Sequence, residues 1–190
     1  MRVVVINHLT LDGVMQAPGR PDENTRGGFE LGGWAGPHVD DVVNAAMGAR
    51  IPRSGGLLLG RRSYEDMLGH WNKIGGAFKD GLSQTTKYVA SSSPDINLAW
   101  PNSTLLSGDV PSSVGALREQ PGGKLVIMGS GRLIRSLLPH ALIDELFLMI
   151  HPVVLGSGRH LFGPTEDRIA LTLVDSATTS TGLIMATYRP

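Results

Sequence analysis

Three short stretches of this chain carry the residue types that bind anions. The first, Gly129-Ser130-Gly131-Arg132, follows an apolar run from Leu125 to Met128 and precedes an amphipathic stretch from Arg132 to Leu138. A glycine turn between a strand and a helix lets backbone N–H groups approach an anion, and the helix start adds a favourable dipole. The second, Gly60-Arg61-Arg62-Ser63, follows Leu57-Leu58-Leu59, and the third, Ser91-Ser92, follows Lys87-Tyr88-Val89-Ala90. Together they supply the donors a phosphate needs: backbone N–H, hydroxyl and guanidinium. The dinucleotide fingerprint is incomplete, because Ile134 occupies the place of its third glycine. Any one of the three turns could merely redirect the chain. Three at successive strand ends point to a phosphate-bearing ligand, most simply a nucleotide cofactor.

The elements that must position them follow from hydrophobic period. Val3 to Ile6 reads as a buried strand, and a Gly/Pro-rich loop runs from about Asp12 to Pro37 with Trp34 inside it, an anchor or a lid. His38 to Arg50 has helical period, with Pro52 ending it. Leu57 to Leu59 is a strand, Arg61 to Met67 opens a helix, and Lys87 to Ala90 is a third strand. Pro111 to Gln120 reads as a helix, and Glu145 to Val154 as a strand interrupted at His151-Pro152. Leu171 to Tyr188 reads as a hairpin around Ser180-Thr181-Gly182. The alternation predicts an α/β fold of one domain over residues 1–190: a mostly parallel central sheet flanked by helices, with a C-terminal antiparallel hairpin at its edge. Ligands of such sheets sit beyond the carboxyl ends of the strands.

Composition narrows the classes. With 190 residues, 41% hydrophobic and 18% charged, the chain is globular in character. Seventeen basic residues balance 17 acidic ones, so nothing marks a nucleic-acid binder. Cysteine is absent, which excludes disulfides, thiolate metal sites and a cysteine nucleophile, and fits a cytoplasmic protein. No apolar run suits a signal peptide or a membrane span. The six histidines show no His-Glu-x-x-His pattern, so no metal site is expected. A hydrolase elbow and an NTPase phosphate loop are absent too.

In their order and spacing, six motifs carry a resemblance that covers nearly the whole chain. They are Leu9-Thr10-Leu11-Asp12-Gly13, Leu59-Gly60-Arg61-Arg62-Ser63-Tyr64, Tyr88-Val89-Ala90-Ser91-Ser92, Met128-Gly129-Ser130-Gly131-Arg132-Leu133, Leu142-Ile143-Asp144-Glu145-Leu146, and His151 to Phe162. This set resembles the dihydrofolate reductase superfamily. The nearer branch includes the C-terminal reductase domain of the riboflavin-pathway deaminase-reductase and its stand-alone bacterial relatives. The resemblance implies a dihydrofolate reductase-like fold, NADPH as cofactor, a small-molecule substrate and a homodimer. By position, Gly60, Arg61, Arg62 and Ser63 would hold the 2′-phosphate and pyrophosphate. Ser91 and Ser92 would lie along the adenosine side, and Gly129, Ser130, Gly131, Arg132 and Leu133 under the pyrophosphate and nicotinamide side. Met15 and Gln16 sit where the family's mobile loop closes, with Trp34 further along the same loop.

For the proton, the chain offers His8 at the end of its first strand and Asp40 and Asp41 near the start of its first helix. His8 has an unperturbed pKa near neutrality, yet a lone histidine at a strand end is also an ordinary hydrogen-bonder. Aspartates at a helix start also serve the dipole. Two functions stay open at this level. One is hydride transfer from NADPH to a small heterocycle or ribosyl-amine. The other is a non-catalytic nucleotide-binding regulatory module.

Overall fold

The computed structural model describes residues 1–51, 54–163 and 168–190. Its strands are β1 (Arg2–Thr10), β2 (Gly55–Gly60), β3 (Lys87–Ala90), β4 (Ser103–Leu106), β5 (Lys124–Met128), β6 (Glu145–His151), β7 (Thr172–Thr178) and β8 (Ile184–Arg189). Its helices are α1 (Asp41–Gly48), α2 (Arg61–Ile74), α3 (Gly76–Gln84), α4 (Val110–Glu119) and α5 (Gly131–Leu137). All eight strands form one sheet in the order β4-β3-β2-β5-β1-β6-β8-β7. Pairing is parallel from β4 through β6 and antiparallel through β8 and β7, so the expected edge hairpin is present.

The core is built by side-chain alternation along buried strands. Val3, Val5, Leu58, Ile127 and Leu146 face the side covered by α4 and α5. Ile6, Leu57, Leu59, Val126 and Phe147 face the other, where they meet Val43 of α1, Tyr64 of α2 and Leu82 of α3. Leu57, Leu58 and Leu59 are all buried because both faces are covered, which is why they form an unbroken apolar run. Lys87 is the exception in this core. It has no exposed surface, and its Nζ donates to the Leu82 carbonyl at 2.6 Å, satisfying an acceptor at the end of α3.

Several boundaries differ from expectation. β1 continues past Ile6 to Thr10, pairing with β6 in the register His8–Met149 and Thr10–His151. The first helix spans Asp41–Gly48, not His38 to Arg50, because Asp40 caps it and His38 belongs to a preceding 3-10 turn. The proposed stop at Pro52 lies outside the described residues. α2 runs on to Ile74, and β6 ends at His151, where Pro152 cannot continue the ladder. α3 and β4 were not expected at all.

Candidate functional site

A cleft of about 830 Å³ opens at the carboxyl ends of the central strands. Because β3, β2 and β5 are neighbours in the sheet, the three anion-type turns that follow them line it side by side. Two of the turns are stitched together. The Ser130 amide donates to Ser63 Oγ at 3.0 Å, and the Gly60 amide donates to Ser130 Oγ at 2.9 Å. Ser130 takes the left-handed conformation (φ 55°), which a non-glycine residue adopts at some cost, and these bonds hold it there. Asn7 of β1 reaches the same turn, donating to the Gly129 carbonyl at 3.2 Å. The first-turn residues of α2 and α5 line the cleft, and first-turn amides have no acceptor within their own helix.

The lining is electropositive, with seven arginines (20, 26, 61, 62, 132, 135, 159) against Glu23, Glu65 and Asp66. Arg61 is held by Glu65 at 2.8 Å, one helical turn away. Arg62 is exposed and makes no ion pair among the described residues. Ser91 Oγ accepts from the Ser93 amide at 3.0 Å, whereas Ser92 is exposed. Half-buried Arg135 donates to the carbonyls of His160 and Leu161, with Arg132 and Arg159 crowding it. A multiply anionic ligand with a long reach fits this donor set.

The other end of the cleft lies between β1, the segment after it, α1 and α2. Met15 lines it and packs so tightly on the glycine turn that a Cβ on Gly131 would stand 2.4 Å from its sulfur. Gln16 also lines it, but its amide is committed. It donates to the Asn24 and Arg26 carbonyls and accepts from the Arg159 amide. Asp12 ties the start of this segment to the one after β6, accepting from Thr10 Oγ1, Gly156 N and Leu155 N. The Thr10 hydroxyl and the Gly156 amide hold its carboxyl down at about 2. Trp34 stands away from the cleft lining. It is buried, donates to the Gln16 carbonyl at 2.8 Å and packs edge-on against His151, so it anchors the loop.

Of the three proton candidates, only His8 lines the cleft. Its Nδ1 lies 2.9 Å from Nε2 of fully buried His151, and burial pulls its pKa down to about 4. Asp40 is spent as the N-cap of α1, accepting from the Val43 amide at 3.0 Å, and Asp41 is exposed in the first turn. Neither lines the cleft. A carboxyl that does was missed: Asp66 of α2, raised above its ordinary pKa by burial despite Arg26 at 4.0 Å. Extending the helical period past Met67 would have placed Asp66, His70 and Trp71 on the face that continues from Ser63. Among the described residues no three His, Asp or Glu side chains converge as a metal site.

Residues 2–185 match the family model of the RibD C-terminal domain, and the chain belongs to that family. It is 35% identical over 84 residues to the uncharacterized protein YyaP of Bacillus subtilis (strain 168), covering 44% of this chain and 45% of that one. It is 28% identical over 117 residues to the uncharacterized protein YwjB of the same organism, covering 62% and 63%. The matches thus span about half to two thirds of these relatives. Among solved structures, a protein named for riboflavin biosynthesis from Shewanella sp. PV-4 superimposes with a TM-score of 0.69 at 22% identity, covering 100% of this chain and 98% of that one. A pyrimidine reductase-like protein from Corynebacterium diphtheriae gives 0.65 at 13%, covering 99% and 91%. A dihydrofolate reductase from Enterococcus faecalis, complexed with NADP(H), gives 0.59 at 16%, covering 99% and 95%. The fold is dihydrofolate reductase-like.

Proposed function

We propose that this chain is an NADPH-dependent reductase acting on an electrophilic C=N or C=O carbon of a small pyrimidine- or pterin-like heterocycle or ribosyl-amine. The observation that carries this reading is the convergence of the β2, β3 and β5 turns on one arginine-rich cleft, in a chain of the RibD C-terminal domain family. The NADP(H) bound to the enterococcal relative supports the choice of cofactor. When bound, NADPH supplies the hydride, and that chemistry is the cofactor's own.

This chain's residues bind, orient and shield. Arg61, Arg62 and Ser63 would hold the 2′-phosphate side, Ser91 and Ser92 the adenosine side, and the turn from Gly129 to Leu133 the pyrophosphate. Met15 would exclude water from the reacting end, with Gln16 fixing the segment that carries it. His8 is better placed than Asp40 or Asp41 to donate a hydrogen bond there. Asp66, its pKa raised by burial, lines the cleft where its carboxyl oxygens can accept from ring N–H groups.

The second reading, a nucleotide-binding module without catalysis, draws on the placement of both α1 aspartates outside the cleft. NADPH oxidation measured across pterins, ribosyl-aminopyrimidines and quinonoid compounds separates the two. Turnover of any one supports the reductase; saturable NADPH binding without turnover favours the module. A homodimer belongs to the same proposal. Every residue of edge strand β7 is exposed, Leu173 by 51% and Val174 by 45%, a surface that a second copy would cover. Sedimentation should give a dimer that Leu173→Lys dissociates. The cysteine-free composition suits a cytoplasmic setting.

A further inference from the structure

Behind the cleft, on the face of the sheet that carries α1, three imidazoles stand in a row. His8 lines the cleft. Its Nδ1 lies 2.9 Å from Nε2 of His151, which has no exposed surface. The ring of His38 is 5.7 Å from that of His151, edge-on, and is half-buried toward the outside. Trp34 closes the remaining side of His151. The His38 Nδ1 is 3.4 Å from the Thr181 carbonyl.

The protons of this row can be placed by elimination. The contact between His8 and His151 holds one hydrogen. His151 Nδ1 is buried and has no partner. A buried N–H without an acceptor costs about 1–3 kcal/mol, and a bare acceptor is better tolerated. His151 therefore carries its proton on Nε2 and donates it to His8 Nδ1. That leaves the proton of neutral His8 on Nε2. This atom is not among the buried unpartnered ones, so the cleft reaches it.

We infer that buried His151 is a positioning residue: its Nε2–H, donated to His8 Nδ1, fixes His8 in the tautomer whose Nε2–H faces the cleft as a hydrogen-bond donor to substrate. The inference rests on the reductase reading for its substrate, but not for its geometry. The substrate atom beside the hydride acceptor accepts a hydrogen bond from His8 Nε2–H and takes its proton from solvent in the cleft, so His8 and His151 keep their tautomers from one turnover to the next. The electron pair is that of the hydride the proposed reaction supplies.

Neutral rings suit this role. Burial pulls His8 down to about 4, and burial with the neighbouring His8 and His38 pulls His151 down to about 3. His8 is then neutral at pH 7 and acts as a hydrogen-bond donor, not as an imidazolium acid.

Nitrogen-15 NMR of the imidazole tautomers in the unmodified protein tests the geometry without any turnover. The expected result is His8 and His151 both neutral at pH 7 and both protonated on Nε2. Protonation of His151 on Nδ1, or a charged ring in the pair, overturns the inference. The kinetic arm uses His8→Gln, His151→Phe and the double variant. Each single change should slow single-turnover reduction about a hundredfold, and the double change no further, because the two act as a unit. NADPH affinity should not move in His151→Phe. Additive losses overturn the inference. Absence of any reducible substrate would defeat the reductase reading, while the NMR result still decides the pair.

Discussion

Arg62→Ala should weaken NADPH strongly and NADH hardly at all. Arg62 stands exposed in the first turn of α2, lining the cleft, and makes no ion pair among the described residues. Nothing has to be broken for it to meet a 2′-phosphate. A charge-assisted hydrogen bond of this kind contributes about 1.5–3 kcal/mol. At 1.4 kcal/mol per decade, its loss raises the Kd for NADPH roughly 10- to 150-fold. Arg61 differs, because Glu65 already holds its Nε at 2.8 Å. Both partners are about half exposed, with side chains 48% and 43% accessible, so an exposed helical pair of this spacing contributes only about 0.3–0.5 kcal/mol. Glu65→Gln should therefore free Arg61 and tighten NADPH about twofold. The assay is fluorescence titration of NADPH and NADH at one fixed ionic strength, since screening weakens exposed charges. For NADH the change should stay under about threefold, because the 2′-phosphate is missing. Equal weakening of both nucleotides would refute the assignment of the 2′-phosphate to the start of α2.

Ser130→Ala removes the acceptor of the Gly60 amide and leaves the left-handed turn less supported; we expect a loss of about 1–2 kcal/mol in urea unfolding, with weaker NADPH binding in the same protein. Lys87→Met keeps the volume of a fully buried side chain but orphans the Leu82 carbonyl at the end of α3, which should cost about 1–3 kcal/mol by the same measurement. Stability should also fall as pH drops below the ordinary histidine range. His8 and His151 titrate at about 4 and about 3 in the fold, below the unfolded 6.5. The unfolded chain therefore binds more protons between these limits, and each ring contributes up to about 1.4 kcal/mol per pH unit of falling stability. His151→Phe should flatten the slope between pH 6 and pH 4 in denaturant titrations, and an unchanged slope would show that these rings are not desolvated.

The elements that were legible in the sequence are those where local pattern and global burial agree. Val3 to Ile6 and Leu57 to Leu59 are unbroken apolar runs because helices cover both faces of the sheet at these strands. The three turns were legible because glycine, serine and arginine at strand ends serve both the chain reversal and the ligand. β4 was not, since Ser103-Thr104-Leu105-Leu106 is a short edge strand with little apolar signal. α3 opens on Gly75 and Gly76, both with positive φ, residues that read as a loop rather than a helix start. Polar residues hid the end of β1, where Asn7 and Thr10 are buried only because Gly129 and Asp12 bond them. The His8–His151 contact joins residues 143 apart, so no local spacing could reveal it. Asp40 and Asp41 looked like acids because they open a helix, and they remain there as a cap and a solvated charge.

The most direct test of the nicotinamide-nucleotide cleft is a titration of the unmodified protein with NADPH, followed by displacement with 2′,5′-ADP. We expect saturable binding at one site per chain, with 2′,5′-ADP competing and 5′-ADP competing far less well. Absence of saturable binding at millimolar NADPH, or binding that 2′,5′-ADP does not displace, would contradict the assignment of the cleft.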